Sequence, residues 1–124
     1  MLHFNSLRKL AGGLVALSLF VASVPARAAD YAPTDCGKAL SSAERTICRS
    51  YSLGQAEARM ATLFGVVTSL VAMGQRADIG DAQQRWLKER NACGDDGACI
   101  ARTYQSRIAA LSANLDAIAS HGPF

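Results

Sequence analysis

Four cysteines, Cys36, Cys48, Cys93 and Cys99, carry the most explicit chemistry in this chain. Thiolates can ligate zinc, exchange electrons or close disulfides, and their spacing separates these uses. Zinc sites and dithiol redox centres both favour C-x-x-C, which does not occur here. Imidazole is scarce too, with only His3 and His121 in the whole chain. The even count therefore reads as a disulfide framework, for which three pairings are possible. Cys36 with Cys48 and Cys93 with Cys99 are favoured, because each closes a short segment that a turn can fold back on itself. Residues 37 to 42 would turn in the first, and Gly94-Asp95-Asp96-Gly97 in the second. Loops of this size are worth about 2 to 3 kcal/mol each on the chain-entropy account.

Asp95 and Asp96 place two carboxylates in that second, glycine-bounded turn. They form either an ordinary polar turn or a pre-ordered acidic tip that reaches into a cationic or sugar-binding cleft, where rigidity lowers the entropic cost of binding. Glycoside hydrolysis would need two acids roughly 5 to 9 Å apart beside a cleft, and adjacent aspartates on one loop do not provide that. The sequence contains no G-x-S-x-G, H-E-x-x-H or phosphate-binding glycine loop, and a Ser-His or Cys-His centre would rest on His121. The expectation is a protein that is not an enzyme and takes no metal or cofactor.

Gln83, Trp86 and Arg90 form a third group, spaced to share one helical face. Trp86, the only tryptophan, could bury about 200 Å² as a core anchor, or could stack on a ligand. Gln83 and Arg90 could satisfy backbone carbonyls or pair with Glu44 or Glu57 at a helix junction. The alternative is a polar recognition patch.

The elements that must position these groups are helical. Ser41-Ser42-Ala43-Glu44 fits a capping box opening a short helix to about Arg49. Ser52 with Gln55 is a second such signal, ahead of apolar residues at Leu53, Ala56, Met60, Leu63, Phe64, Val67 and Val71, whose spacing marks one buried face. Residues 73 to 80 hold two glycines and several polar groups and read as a loop, after which Asp81 can cap a third helix running to Cys93. Ile100, Tyr104, Ile108, Leu111, Leu115 and Ile118 keep one face apolar along a fourth, which Gly122 and Pro123 end. No alternating strand pattern occurs. The fold class expected is all-α: a small antiparallel bundle of one short and three longer helices, stapled by two disulfides.

The N-terminal residues belong to a different part of the plan. Arg8 and Lys9 precede an apolar stretch over residues 10 to 24, then Pro25 and Ala26-Arg27-Ala28, the order of a secretory signal peptide cleaved after Ala28. The stretch is shorter than the roughly 20 residues that span a bilayer, so no membrane anchor is expected after cleavage. Residues 29 to 35 would be an extended lead-in, 36 to 120 the helical domain and 121 to 124 a tail. The formal charge of +3 belongs to the precursor: without Arg8, Lys9 and Arg27, ten basic residues face ten acidic ones. A neutral domain with dispersed cations argues against nucleic-acid binding.

Cys36-Gly-Lys-Ala39, Glu44-Arg-Thr-Ile-Cys48, Gln83-Gln-Arg-Trp86-Leu87-Lys-Glu-Arg90-Asn-Ala-Cys93, and Cys99-Ile100 with Tyr104 and Arg107-Ile108 resemble the bacterial LprI-type lysozyme-inhibitor N-terminal domain family. The resemblance runs from about Cys36 to Leu111. Asn91 stands where an aspartate commonly follows the arginine, and Ala56-Glu57 and Phe64 stand where a Leu-Asp pair and a tyrosine are usual. It implies a periplasmic or secreted binding module that inhibits a lysozyme-type muramidase by occluding its cleft. The alternative partner is another protein of the bacterial envelope, with this chain in a structural or accessory role.

Overall fold

The structure, a computed structural model, describes residues 33–39 and 41–121. The expected export signal lies outside the described residues. Four helices follow one another: α1 (Ser42–Arg49), α2 (Tyr51–Leu70), α3 (Met73–Ala92) and α4 (Gly97–Ser120). No strand occurs among the described residues. The fold is the all-α bundle of one short and three longer helices, and its disulfides join Cys36 to Cys48 and Cys93 to Cys99.

Helix α1 starts with the capping box read from the sequence. Ser41 Oγ accepts the Glu44 amide and the Glu44 carboxylate accepts the Ser41 amide, satisfying two backbone donors that a helix start leaves open. Helix α2 begins earlier than Ser52. Ser50 is its N-cap, accepting the Leu53 amide at 3.4 Å, because the break after α1 is a single extended residue shared by both helices.

The larger correction concerns residues 73 to 80, which form the first turns of α3 rather than a loop. Asp81 is consequently mid-helix and exposed, and no side chain caps the α3 start at Ala72. Two glycines cost such a helix about 1 kcal/mol each relative to alanine, and tertiary contacts offset that. Arg76 reaches back to cap α2, donating from Nε to the Thr68 carbonyl at 2.8 Å and from Nη2 to the Val71 carbonyl at 3.3 Å. Three residues on, Ile79 packs against the core.

Contacts set the direction of each helix. Gln83 of α3 meets Met60 of α2, whereas Arg90, seven residues further along α3, meets Glu57, so α3 runs antiparallel to α2. By the same logic α3 opposes α4, since Arg107 meets Gln83 while Tyr104 meets Arg90. Helices α2 and α4 are therefore parallel, and the contact between them is the most extensive in the bundle. Short α1 touches all three, burying Ala43 and Ile47 against one end. Leu53, Met60, Phe64, Trp86, Ile100, Tyr104 and Leu111 complete the apolar core.

Candidate functional site

The Asp95-Asp96 turn is built in three ways at once. Cys93 ends α3 and is bonded to Cys99 in the first turn of α4, six residues on, so a covalent ring encloses the turn. Gly94 takes φ +61°, a left-handed conformation that costs side-chain-bearing residues energy, and lets the chain reverse. Asp96 is the α4 N-cap, its Oδ1 accepting the Cys99 amide at 2.9 Å. That carboxylate sits at the positive end of the helix dipole, a favourable place for an anion. Both acids are exposed; Asp96 is engaged as the cap, and Asp95 stands at the apex on a backbone tied by the hydrogen bond from the Asp96 amide to the Cys93 carbonyl.

Gln83, Trp86 and Arg90 come together, and they point inward: their residues are 1%, 5% and 2% exposed. Arg90 is the hub. Its Nη1 lies 3.7 Å from Glu57 Oε2 and its Nη2 3.8 Å from Glu44 Oε1, so both partners anticipated for it are engaged. The guanidinium lies 5.5 Å over the Trp86 ring, within cation–π range, and Asn91 Oδ1 accepts from Nε and Nη2. The Trp86 indole donates to the Thr103 carbonyl at 2.9 Å and meets the Tyr104 ring edge-on at 5.2 Å.

Glu57, Tyr104, Thr34 and Arg107 complete this interior network. Glu57 Oε2 accepts the Tyr104 hydroxyl at 2.5 Å, while Oε1 accepts both the Thr34 amide at 2.8 Å and the Thr34 hydroxyl at 3.0 Å. Burial, followed by the charge of Glu57 and the hydrogen bond to it, pushes the Tyr104 phenol well above its ordinary value near 10. Gln83 links a second charge, with Oε1 accepting from Arg107 Nε at 2.8 Å and Nε2 donating to Met60 Sδ. Burial, then the charge of Arg85, lowers the Arg107 pKa, and its Nη2 finds the Ile79 carbonyl at 3.1 Å. Among the described residues no buried side-chain nitrogen or oxygen lacks a hydrogen-bond partner. Glu57 and Arg107 were legible as polar residues on otherwise apolar faces, four residues from Leu53 and from Leu111 respectively. The role of Thr34 had no such signal.

The opposite end of the bundle differs. There the last turns of α2 and α4 and the first turns of α3 surround a groove of about 310 Å³, lined by Leu70, Val71, Ile79 and Ile118 with Asn114 and His121 among its polar groups. Leu70 of this lining and Met73, next to Ala72, are exposed. No group of three or more His, Cys, Asp or Glu among the described residues is arranged to hold a metal, and none of these helices is long and apolar enough to cross a membrane.

No protein-family model, curated protein or solved structure matches this chain.

Proposed function

We propose that this chain is an exported, disulfide-stapled helical binding module that inhibits a lysozyme-type muramidase by occluding its cleft. The observation that carries the reading is the acidic turn: the Cys93–Cys99 bond, Gly94 and the Asp96 cap order it before any partner arrives. A pre-ordered loop loses little conformational freedom on docking, so its contacts appear more fully as affinity. Asp95 is the contact carboxylate and Asp96 the group that holds it in place. Since the chain beyond residue 28 is formally neutral, attraction to a cationic cleft comes from this local charge rather than from net charge. Two disulfides favour an oxidising compartment, which suits a secreted or periplasmic protein.

Titrating residues 29 to 124 into the hydrolysis of cell-wall substrate by several lysozymes tests the proposal. Stoichiometric inhibition is expected, with Asp95→Ala weakening it about tenfold or more, the cost of roughly one buried charged contact. Hydrolysis unchanged at high molar excess would sink it. In that event, a stoichiometric endogenous partner recovered from a bacterial envelope would shift the assignment to an accessory envelope protein.

A further inference from the structure

We propose that the Cys36–Cys48 disulfide is a redox latch on the interior carboxylate of Glu57, and that reducing it opens the Glu57–Tyr104–Arg90 network to water. This inference is independent of the lysozyme reading. The lead-in at Pro33 to Asp35 has no regular structure, yet Thr34 places two donors on one oxygen of a residue that is 5% exposed. Two residues later Cys36 is bonded to Cys48 in α1, and α1 also supplies Glu44, which faces Arg90. The staple thus anchors the segment that covers the network, and the lead-in enters no helix that could hold it otherwise. Cys93–Cys99 spans a different segment and reaches neither Thr34 nor Glu57 directly.

Cys36 is exposed and Cys48 half-buried, so attack is directed at Cys36. The co-reactant is a dithiol. One of its thiolates attacks Cys36 Sγ, the sulfur–sulfur bond breaks, and Cys48 leaves as a thiolate that takes up a proton. The second thiolate of the reductant then displaces Cys36. Two electrons have passed to the protein, both cysteines are thiols, and the reductant is a disulfide. Without its covalent anchor Thr34 leaves, Glu57 Oε1 loses these two donors, and water takes their place because losing hydrogen bonds to a buried carboxylate costs free energy. Trp86, beneath Arg90 and beside Tyr104, reports the change.

A double-mutant cycle separates a latch from a simple chain-entropy staple. Thr34→Pro removes the amide and hydroxyl donors together, and Cys36→Ala/Cys48→Ala removes the anchor. In the oxidised protein Thr34→Pro should lower the folding equilibrium constant about tenfold or more. After loss of the disulfide, the same change should cost less than about twofold, since Thr34 has already left. Additive effects would overturn the proposal. A measurement on the unmutated protein keeps the test decisive if a variant fails to fold. Dithiol treatment, with the reduced pair identified by thiol labelling, should raise acrylamide quenching of Trp86 severalfold while the helical circular dichroism persists. Unchanged quenching after Cys36–Cys48 is reduced overturns the latch. So does collapse of the helical signal, because the staple would then hold the whole fold rather than one segment.

Discussion

The two ends of the bundle solve the same packing problem in opposite ways. At one end α1, the lead-in and both disulfides close over a network in which Glu57, Arg90, Tyr104 and Trp86 bind one another. At the other, α2, α3 and α4 surround an open groove, and Leu70 and Met73 remain in solvent. Buried carboxylates are tolerated where donors from three separate segments, the lead-in, α3 and α4, converge on them, and such convergence needs those segments tied in place. The groove end holds no interior ion pair among the described residues and is organised by apolar contact, with Arg76 capping the end of α2. Charged interiors are costly to break and specific in geometry, whereas apolar contacts tolerate looser fit.

The sharpest way to break the contrast is to remove the hub. Arg90→Met should destabilise the protein by about 3 to 5 kcal/mol, read from the urea midpoint, because it leaves Glu57 buried beside no cation from α3. Loss of the Cys36–Cys48 staple comes next, at about 3 kcal/mol for its twelve-residue separation, with Cys93–Cys99 about 0.5 kcal/mol smaller for its six.

Alkaline pH probes the same end more gently. Tyr104 has a folded pKa raised above the unfolded value, so its contribution is complete below about pH 10 and falls as pH rises beyond it. While the unfolded chain loses that proton and the folded chain keeps it, stability should drop by about 1.4 kcal/mol per pH unit from this group. Tyr104→Phe should remove that part of the slope in denaturant titrations at successive pH values. The smallest effect belongs to the groove end. Gly80 is inside α3 and an added Cβ there meets nothing within 4 Å, so Gly80→Ala should raise stability by about 0.5 to 1 kcal/mol. A loss there would show that the first half of α3 depends on glycine, and would weaken the picture of a plain apolar end.

Much of this architecture was legible residue by residue. Capping at Ser41, the apolar periodicity of α2 and α4, and the short loops closed by each cysteine pair are local features, and local chemistry decides them. Of the candidate site residues, Asp95 and Asp96 sit in the turn that their glycines announce. Gln83, Trp86 and Arg90 share a face as their spacing requires, but spacing alone cannot say whether that face looks inward or outward. At the start of α3, Gly74 and Gly80 are helix-weakening in isolation and suggest a loop where the chain is helical. Only contacts made by Arg76 and Ile79 with other segments reverse that preference.

Local sequence is enough for the number and order of the helices, the Ser41 cap, the two staples and the position of the acidic turn, since each depends on groups close together along the chain. Packing of distant segments is what makes Arg90 an interior hub between Glu44 and Glu57, brings Thr34 over Glu57, and gives α2 and α4 the most extensive contact in the bundle. Thr34 and Glu57 lie 23 residues apart, and Glu57 and Tyr104 47 apart. Pairings at that distance follow from how whole helices stack, and the energy of a buried charge exists only once the surrounding chain has excluded water.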